Sequence, residues 1–182
     1  LIAVLHYLMR EGDLQPFEVH TIKAGESHKE TYTDEELRRL LESDPNAQVG
    51  EAGLDRRYAG YEPGGVQEKV FRKQAEMALE LGRDLQIHCV GDYGRIIRVL
   101  REAGFVACLK CARPDSSIKR PRPILHRFGG DAGIVKAGLS LGAFFSVHAD
   151  TLRKKSTREA LALIPRELKT LHPIRSFLSC LS

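Results

Sequence analysis

Short apolar runs that read as strands alternate, along this 182-residue chain, with stretches whose apolar residues recur at helical spacing. Strand-like runs fall at 14–19 (LQPFEV), 47–54 (AQVGEAGL), 84–90 (DLQIHCV), 122–128 (RPILHRF) and 142–147 (GAFFSV), with a further short one at 168–172. The segment TDEELRRLLESD opens on Thr33 as a helix N-cap. Asp34, Glu35 and Glu36 follow in the first turn, where the helix dipole favours acids. Residues 67–82 place Val70, Phe71, Ala75, Ala78 and Leu79 on one stripe and stop at Gly82, and residues 93–104 repeat the scheme and stop at Gly104. Residues 131–141 and 156–164 read as weaker helices. Strands alternating with helices build parallel β-α units. The segment 105–122, with Pro114 and Pro121, breaks the rhythm and reads as an inserted loop. A closed β/α barrel needs eight strands over ~250 residues. The pattern therefore predicts an α/β chain of parallel β-α units in one domain over residues 1–182, with fewer strands than a closed barrel.

Within that frame, Glu51, His88 and His126 sit in three successive strand-like runs, near the C-terminal end of each. The separations are 37 and 38 residues, about one β-α unit each time. In parallel β/α barrels these ends converge on the face that holds catalytic groups. A single histidine at such a place is more often a hydrogen-bonded core residue than a ligand. Three polar groups at consecutive strand ends shift the balance toward a site. One carboxylate and two imidazoles suit zinc, manganese or magnesium, with imidazole favouring the transition metals.

Other polar features carry two readings each. His148 and Asp150 follow the strand at 142–147 and are either substitute ligands or an acid/base pair, against a plain polar loop. Arg153, Lys154 and Lys155, and likewise Arg56 and Arg57, either hold phosphates or form a solvated charge run. The basic run Lys119–Arg122 joins a helix to a strand and so belongs on the opposite face of the barrel. Cys108-x-x-Cys111 has no second pair, and a zinc ribbon needs four ligands, so ordinary thiols are the better reading. Cys89 is turned away from His88 by strand alternation.

Composition narrows the class further. With 42% hydrophobic and 29% charged residues the chain is of the globular kind. No apolar run approaches the roughly 20 residues of a membrane helix. The opening LIAVLHYLMREGD has no basic leader or cleavage site and is not read as a signal peptide. A start at Leu1 points to part of a longer chain. Four cysteines without a regular framework point to reduced thiols and a cytoplasmic location, with the nucleus also open. The net charge of +4 permits a polyanionic partner without requiring one.

The segments VGEAGLD, QEKVFRKQAEMALELGRDLQIHC and PILHRFGG together resemble the TatD family of metal-dependent deoxyribonucleases, which are amidohydrolase-like β/α barrels. The similarity runs from about residue 16 to residue 168 and includes EVH at 18–20, with His20, and IPREL at 164–168. The resemblance implies an incomplete TIM-type β/α barrel of the metal-dependent hydrolase type, hydrolysis of DNA phosphodiester bonds, DNA as substrate and a divalent-metal cofactor (Mg, Mn or Zn). It implies Glu51 as bridging carboxylate with His88 and His126 as metal ligands, and Asp150 joins Glu51 as a catalytic candidate. The family's His-x-His pair has no counterpart in this chain. Where its closing Asp is expected, the sequence reads KTLHPIRSFLSCLS. The expected consequences are three ligands rather than a full set, weak nuclease activity, and apolar surface open to self-association. The alternatives are a catalytically impaired paralogue or fragment serving as a binding module, and a hydrolase of the same superfamily acting on a small ester or amide.

Overall fold

In the computed structural model, residues 33–107, 121–148 and 153–171 are described. They form α1 (Asp34–Ser43), β1 (Val49–Asp55), α2 (Val66–Glu80), β2 (Leu85–Val90), α3 (Tyr93–Ala103), β3 (Pro123–Leu125), α4 (Ala132–Leu139), β4 (Phe144–Val147), α5 (Lys155–Ala162), a 3-10 turn (Arg166–Leu168) and β5 (Lys169–Leu171). The sheet order is β1-β2-β3-β4-β5, and each neighbouring pair is parallel. The expected alternation is thus realised unit by unit. The strand expected at 14–19 lies outside the described residues, as does the 108–120 part of the expected loop.

Local chemistry sets the helix ends. Thr33 closes a capping box with Glu36, its hydroxyl accepting from the Glu36 amide at 3.2 Å and its own amide donating to the Glu36 carboxylate at 2.7 Å. Asp92 and Asp131 cap α3 and α4 by accepting from Arg95 and Ile134. Gly104 ends α3 at φ 107, where a side chain would be strained.

Successive helices pack side by side, α2 on α3, α3 on α4 and α4 on α5, as one layer. Against that layer the register aligns Ile87, Leu125 and Phe145, all fully buried. Phe128 is wedged edge-on between Tyr93 and Phe145, with ring centroids 5.5 and 5.0 Å away. Each such side chain contributes about 1.5–3 kcal/mol by leaving water. The other sheet face carries Gln86, His88, Ile124, Phe144 and Ser146, a mixed polar set. Gln86 Nε2 and Ser146 Oγ are buried there without a hydrogen-bond partner among the described residues.

At the N-terminal ends of the strands, Asp84 grips Arg122 through two nitrogens, at 3.2 and 2.6 Å, and Arg122 lies 4.6 Å over the Phe144 ring. Arg122 is therefore a clamp between β2 and β3, on the side where the basic run was expected to be irrelevant to a site. Strand β3 is shorter than the run at 122–128. The chain leaves the sheet at His126, because Arg127 takes a left-handed conformation with φ 46.

Candidate metal centre

The site begins with an irregularity in β1. Val49 pairs with Leu85 and Ala52 with Ile87, so three residue steps on β1 face two on β2. Such a bulge re-aims the side chains beside it. The glycines around Glu51 make it possible. Gly50 has φ 128, and a Cβ there would stand 2.4 Å from the Gln86 carbonyl oxygen. Gly53 has φ 152, and a Cβ there would stand 1.9 Å from the His88 carbonyl oxygen. The GEAG spacing is thus the spacing at which β2 comes too close for any side chain. It leaves Glu51 mid-strand rather than near the strand's C-terminal end; that place belongs to Asp55.

Glu51, His88 and His126 meet. Nδ1 of His126 donates to Oε1 of Glu51, and Nδ1 of His88 lies 3.8 Å from the same oxygen. All three are partly shielded, with side chains 28%, 32% and 12% exposed for Glu51, His88 and His126. The hydrogen bond from His126, then the nearby His88, holds the Glu51 carboxyl down to about 2, against a burial that opposes it. His88 is held above the ordinary histidine value, first by Glu51 and next, against desolvation, by Asp55.

Asp55 is the residue that sequence reasoning missed. Its Oδ2 lies 2.8 Å from Nε2 of His88, and its two oxygens take Arg57 at 2.9 and 2.5 Å. Arg57, then His88, keeps Asp55 well below the usual carboxylate range. An ionised carboxylate only accepts, so Nε2 of His88 carries a hydrogen and Nδ1 is the atom turned to Glu51. A carboxylate behind an imidazole is the arrangement that fixes tautomer and ring angle in metal sites. The available signal was Asp55's place as the last residue of a strand, in GEAGLD. Gln67 is the second omission in role. Its side-chain oxygen accepts from the Asp55 amide at 2.8 Å, and its nitrogen reaches the carbonyls of Asp55, Tyr58 and Ala59 at 2.9–3.2 Å. It therefore pins the loop that follows the site.

In kind, the donors fit a divalent ion: one carboxylate and two imidazoles, with a carboxylate supporting one of them. In arrangement, His126 bonds Glu51, and His88 stands 3.8 Å from the same oxygen. Among the described residues, no group of three or more His, Cys, Asp or Glu side chains is so disposed that it could hold a metal ion as it stands.

The remaining candidates separate clearly. His148 stands at the end of β4, its Nδ1 3.5 Å from Nη2 of Arg127. Asp150, His20, Cys108 and Cys111 lie outside the described residues. Arg57 anchors Asp55 while its own side chain stays 62% exposed. Lys155 is exposed and faces Glu159 at 3.8 Å, as in a charged helix surface. Burial and the nearby acids push the Cys89 thiol up to about 12, so it is no thiolate.

Comparison with known proteins agrees with this architecture. The family model for TatD related DNase matches residues 14–169. The 3'-5' ssDNA/RNA exonuclease TatD of Erwinia tasmaniensis is 30% identical over 154 residues, which is 82% of this chain and 52% of the relative. The protein of the same name from Edwardsiella piscicida is 31% identical over 136 residues, 72% of this chain and 46% of the relative. The chain thus spans about half the length of the curated relatives it matches. A crystal structure of a TatD family hydrolase from Entamoeba histolytica superposes with a TM-score of 0.60 at 19% identity, covering 92% of this chain and 54% of that one. The five parallel strands are therefore an incomplete β/α barrel of the metal-dependent hydrolase type. The chain belongs to the TatD-related DNase family.

Proposed function

We propose that this chain hydrolyses phosphodiester bonds of DNA with a divalent metal ion held by Glu51, His88 and His126. The observation that carries the reading is the meeting of these three side chains, from three consecutive parallel strand units, on one carboxylate oxygen. Glu51, His88 and His126 would hold the divalent ion, which would supply Lewis-acid chemistry for phosphodiester hydrolysis. The chain's own residues do the rest. Asp55 accepts the Nε2 hydrogen of His88 and leaves Nδ1 directed at Glu51. Arg57 and Gln67 hold Asp55 and the loop behind it. Asp150 is assigned with Glu51 to the catalytic group. The curated relatives are named as acting on single-stranded DNA and RNA, which makes a single-stranded oligonucleotide the substrate to try first.

The reading extends to a cytoplasmic or nuclear setting and to self-association. Among the described residues, β1 and β5 each have a strand on one side only, and an unpaired edge invites a partner. No helix among them is long and apolar enough to cross a membrane.

The test is cleavage of an end-labelled single-stranded DNA by the purified chain with added manganese or magnesium. Cleavage that depends on the ion and is lost in His126→Ala and Glu51→Gln supports the reading. A folded chain that binds the oligonucleotide without cutting it, with or without metal, is a binding module instead.

A further inference from the structure

We propose that Arg127 is a phosphate-binding residue for a single-stranded polynucleotide, next to His126 in the chain and held in a backbone conformation that disfavours any side chain. The inference rests on the nucleolytic reading and adds to it a residue that the three candidate ligands do not include. Among the described residues Arg127 is the non-glycine residue with positive φ, at 46. Left-handed geometry brings Cβ against the neighbouring carbonyl.

The surroundings force the geometry. On one side, the His126 amide donates to the Ile87 carbonyl at 2.9 Å, and its ring bonds Glu51. On the other, the Phe128 amide donates to the Ser146 carbonyl at 2.9 Å, and its ring is fully buried between Tyr93 and Phe145. One residue must therefore carry the chain from β2's side to β4's side. Glycine adopts such a turn without strain, and glycines occupy the nearby positions 129 and 130. An arginine stands at the strained position instead. Strain that persists because its neighbours over-determine it is characteristic of sites where the side chain has a task.

The side chain's position indicates the task. It is exposed, it follows a candidate ligand directly, and its Nη2 reaches to 3.5 Å from Nδ1 of His148 at the end of the next strand. Its guanidinium thus reaches from the end of β3 to the residue that follows β4. A guanidinium offers a planar fork of donors that matches phosphate oxygens. Its ligand class is therefore a phosphodiester next to the one being cleaved.

Two variants with opposite backbone effects separate the side chain from the turn. Arg127→Gly removes the guanidinium and relieves the turn; Arg127→Ala removes it and keeps the strain. Binding of a fluorescent single-stranded DNA is read by anisotropy in chelator, so that no cleavage intervenes, alongside thermal unfolding. Both variants are expected to bind about five- to ten-fold more weakly at low salt. Each should reduce the slope of log K against log salt by about 0.7, the value for one phosphate contact on a single strand. Arg127→Gly should unfold at no lower a temperature than the wild type. Wild-type binding by either variant overturns the proposal, and so does a loss of binding in Arg127→Ala that Arg127→Gly restores, since the turn and not the charge would then be responsible. If the wild type cleaves the DNA while the variants bind normally, Arg127 loses its role and the nucleolytic reading stands. If the wild type neither binds nor cleaves, both fall.

Discussion

Nε2 of His88 sits 2.8 Å from Oδ2 of Asp55, while Nδ1 of the same ring faces Oε1 of Glu51 at 3.8 Å. One imidazole therefore joins two carboxylates with different duties: Asp55, locked by Arg57, sets the tautomer, and Glu51 shares the site. Asp55→Asn replaces a pure acceptor with a group that donates as readily as it accepts. We expect the His88 tautomer to shift in nitrogen-detected NMR of the metal-free chain, and affinity for manganese to fall ~10–100-fold. Asp84→Asn is the matched control, a buried aspartate gripping an arginine at the other end of β2. It should cost about 2 kcal/mol of stability by loss of charged hydrogen bonds and leave the His88 tautomer alone.

The cluster also predicts a pH dependence whose sign is fixed by the two shifts. Glu51 is lowered from 4.5 to about 2, so its contribution to stability is complete above 4.5 and is lost as pH falls toward about 2. His88 is raised above 6.5, so its contribution is complete below 6.5 and is lost as pH climbs through the raised value. The metal-free chain should gain most from this cluster between 4.5 and 6.5, as urea midpoints across pH will show. Metal binding should run the other way. It should strengthen as pH rises past the His88 value, with protons released, because an imidazolium cannot ligate.

The glycines of β1 make a third prediction. Gly53→Ala would put a Cβ 1.9 Å from the His88 carbonyl oxygen, at φ 152. The two strands must part, at a cost of about 2 kcal/mol or more, and the site must open with them. Gly64→Ala, at φ 71 with nothing within 4 Å, should cost only the backbone strain of about 1–2 kcal/mol. Chemical denaturation of the pair separates a glycine needed for close approach from one needed for a turn.

How far the sequence discloses this site follows from which forces act locally. Thr33, Gly104 and the stripe of α2 are governed by capping and helical spacing, and they are legible one segment at a time. The meeting of Glu51, His88 and His126 is legible in outline because successive parallel units bring corresponding strand positions side by side, although Glu51 reaches the group from mid-strand. Asp55 was not, because its importance depends on which nitrogen of His88 turns outward, a matter of ring orientation that spacing does not encode. The bulge at Gly50–Ala52 was not either: GEAG announces glycines but not the strand that presses on them. Arg127 lay hidden inside an apparent strand at 122–128, since nothing local marks an arginine as left-handed. The anchors that force it, the Ile87 carbonyl and the Ser146 carbonyl, are 39 residues before His126 and 18 beyond Phe128.

The central claim, that Glu51, His88 and His126 form one divalent-metal site, is tested most directly by calorimetric titration of manganese into the metal-stripped chain at mildly alkaline pH. Glu51→Gln, His88→Ala and His126→Ala are measured beside it, with circular dichroism to confirm folding. The account predicts saturable binding by the wild type and a loss of at least about tenfold in each folded variant. A wild type that takes up no manganese, or variants that bind it as the wild type does, would contradict it.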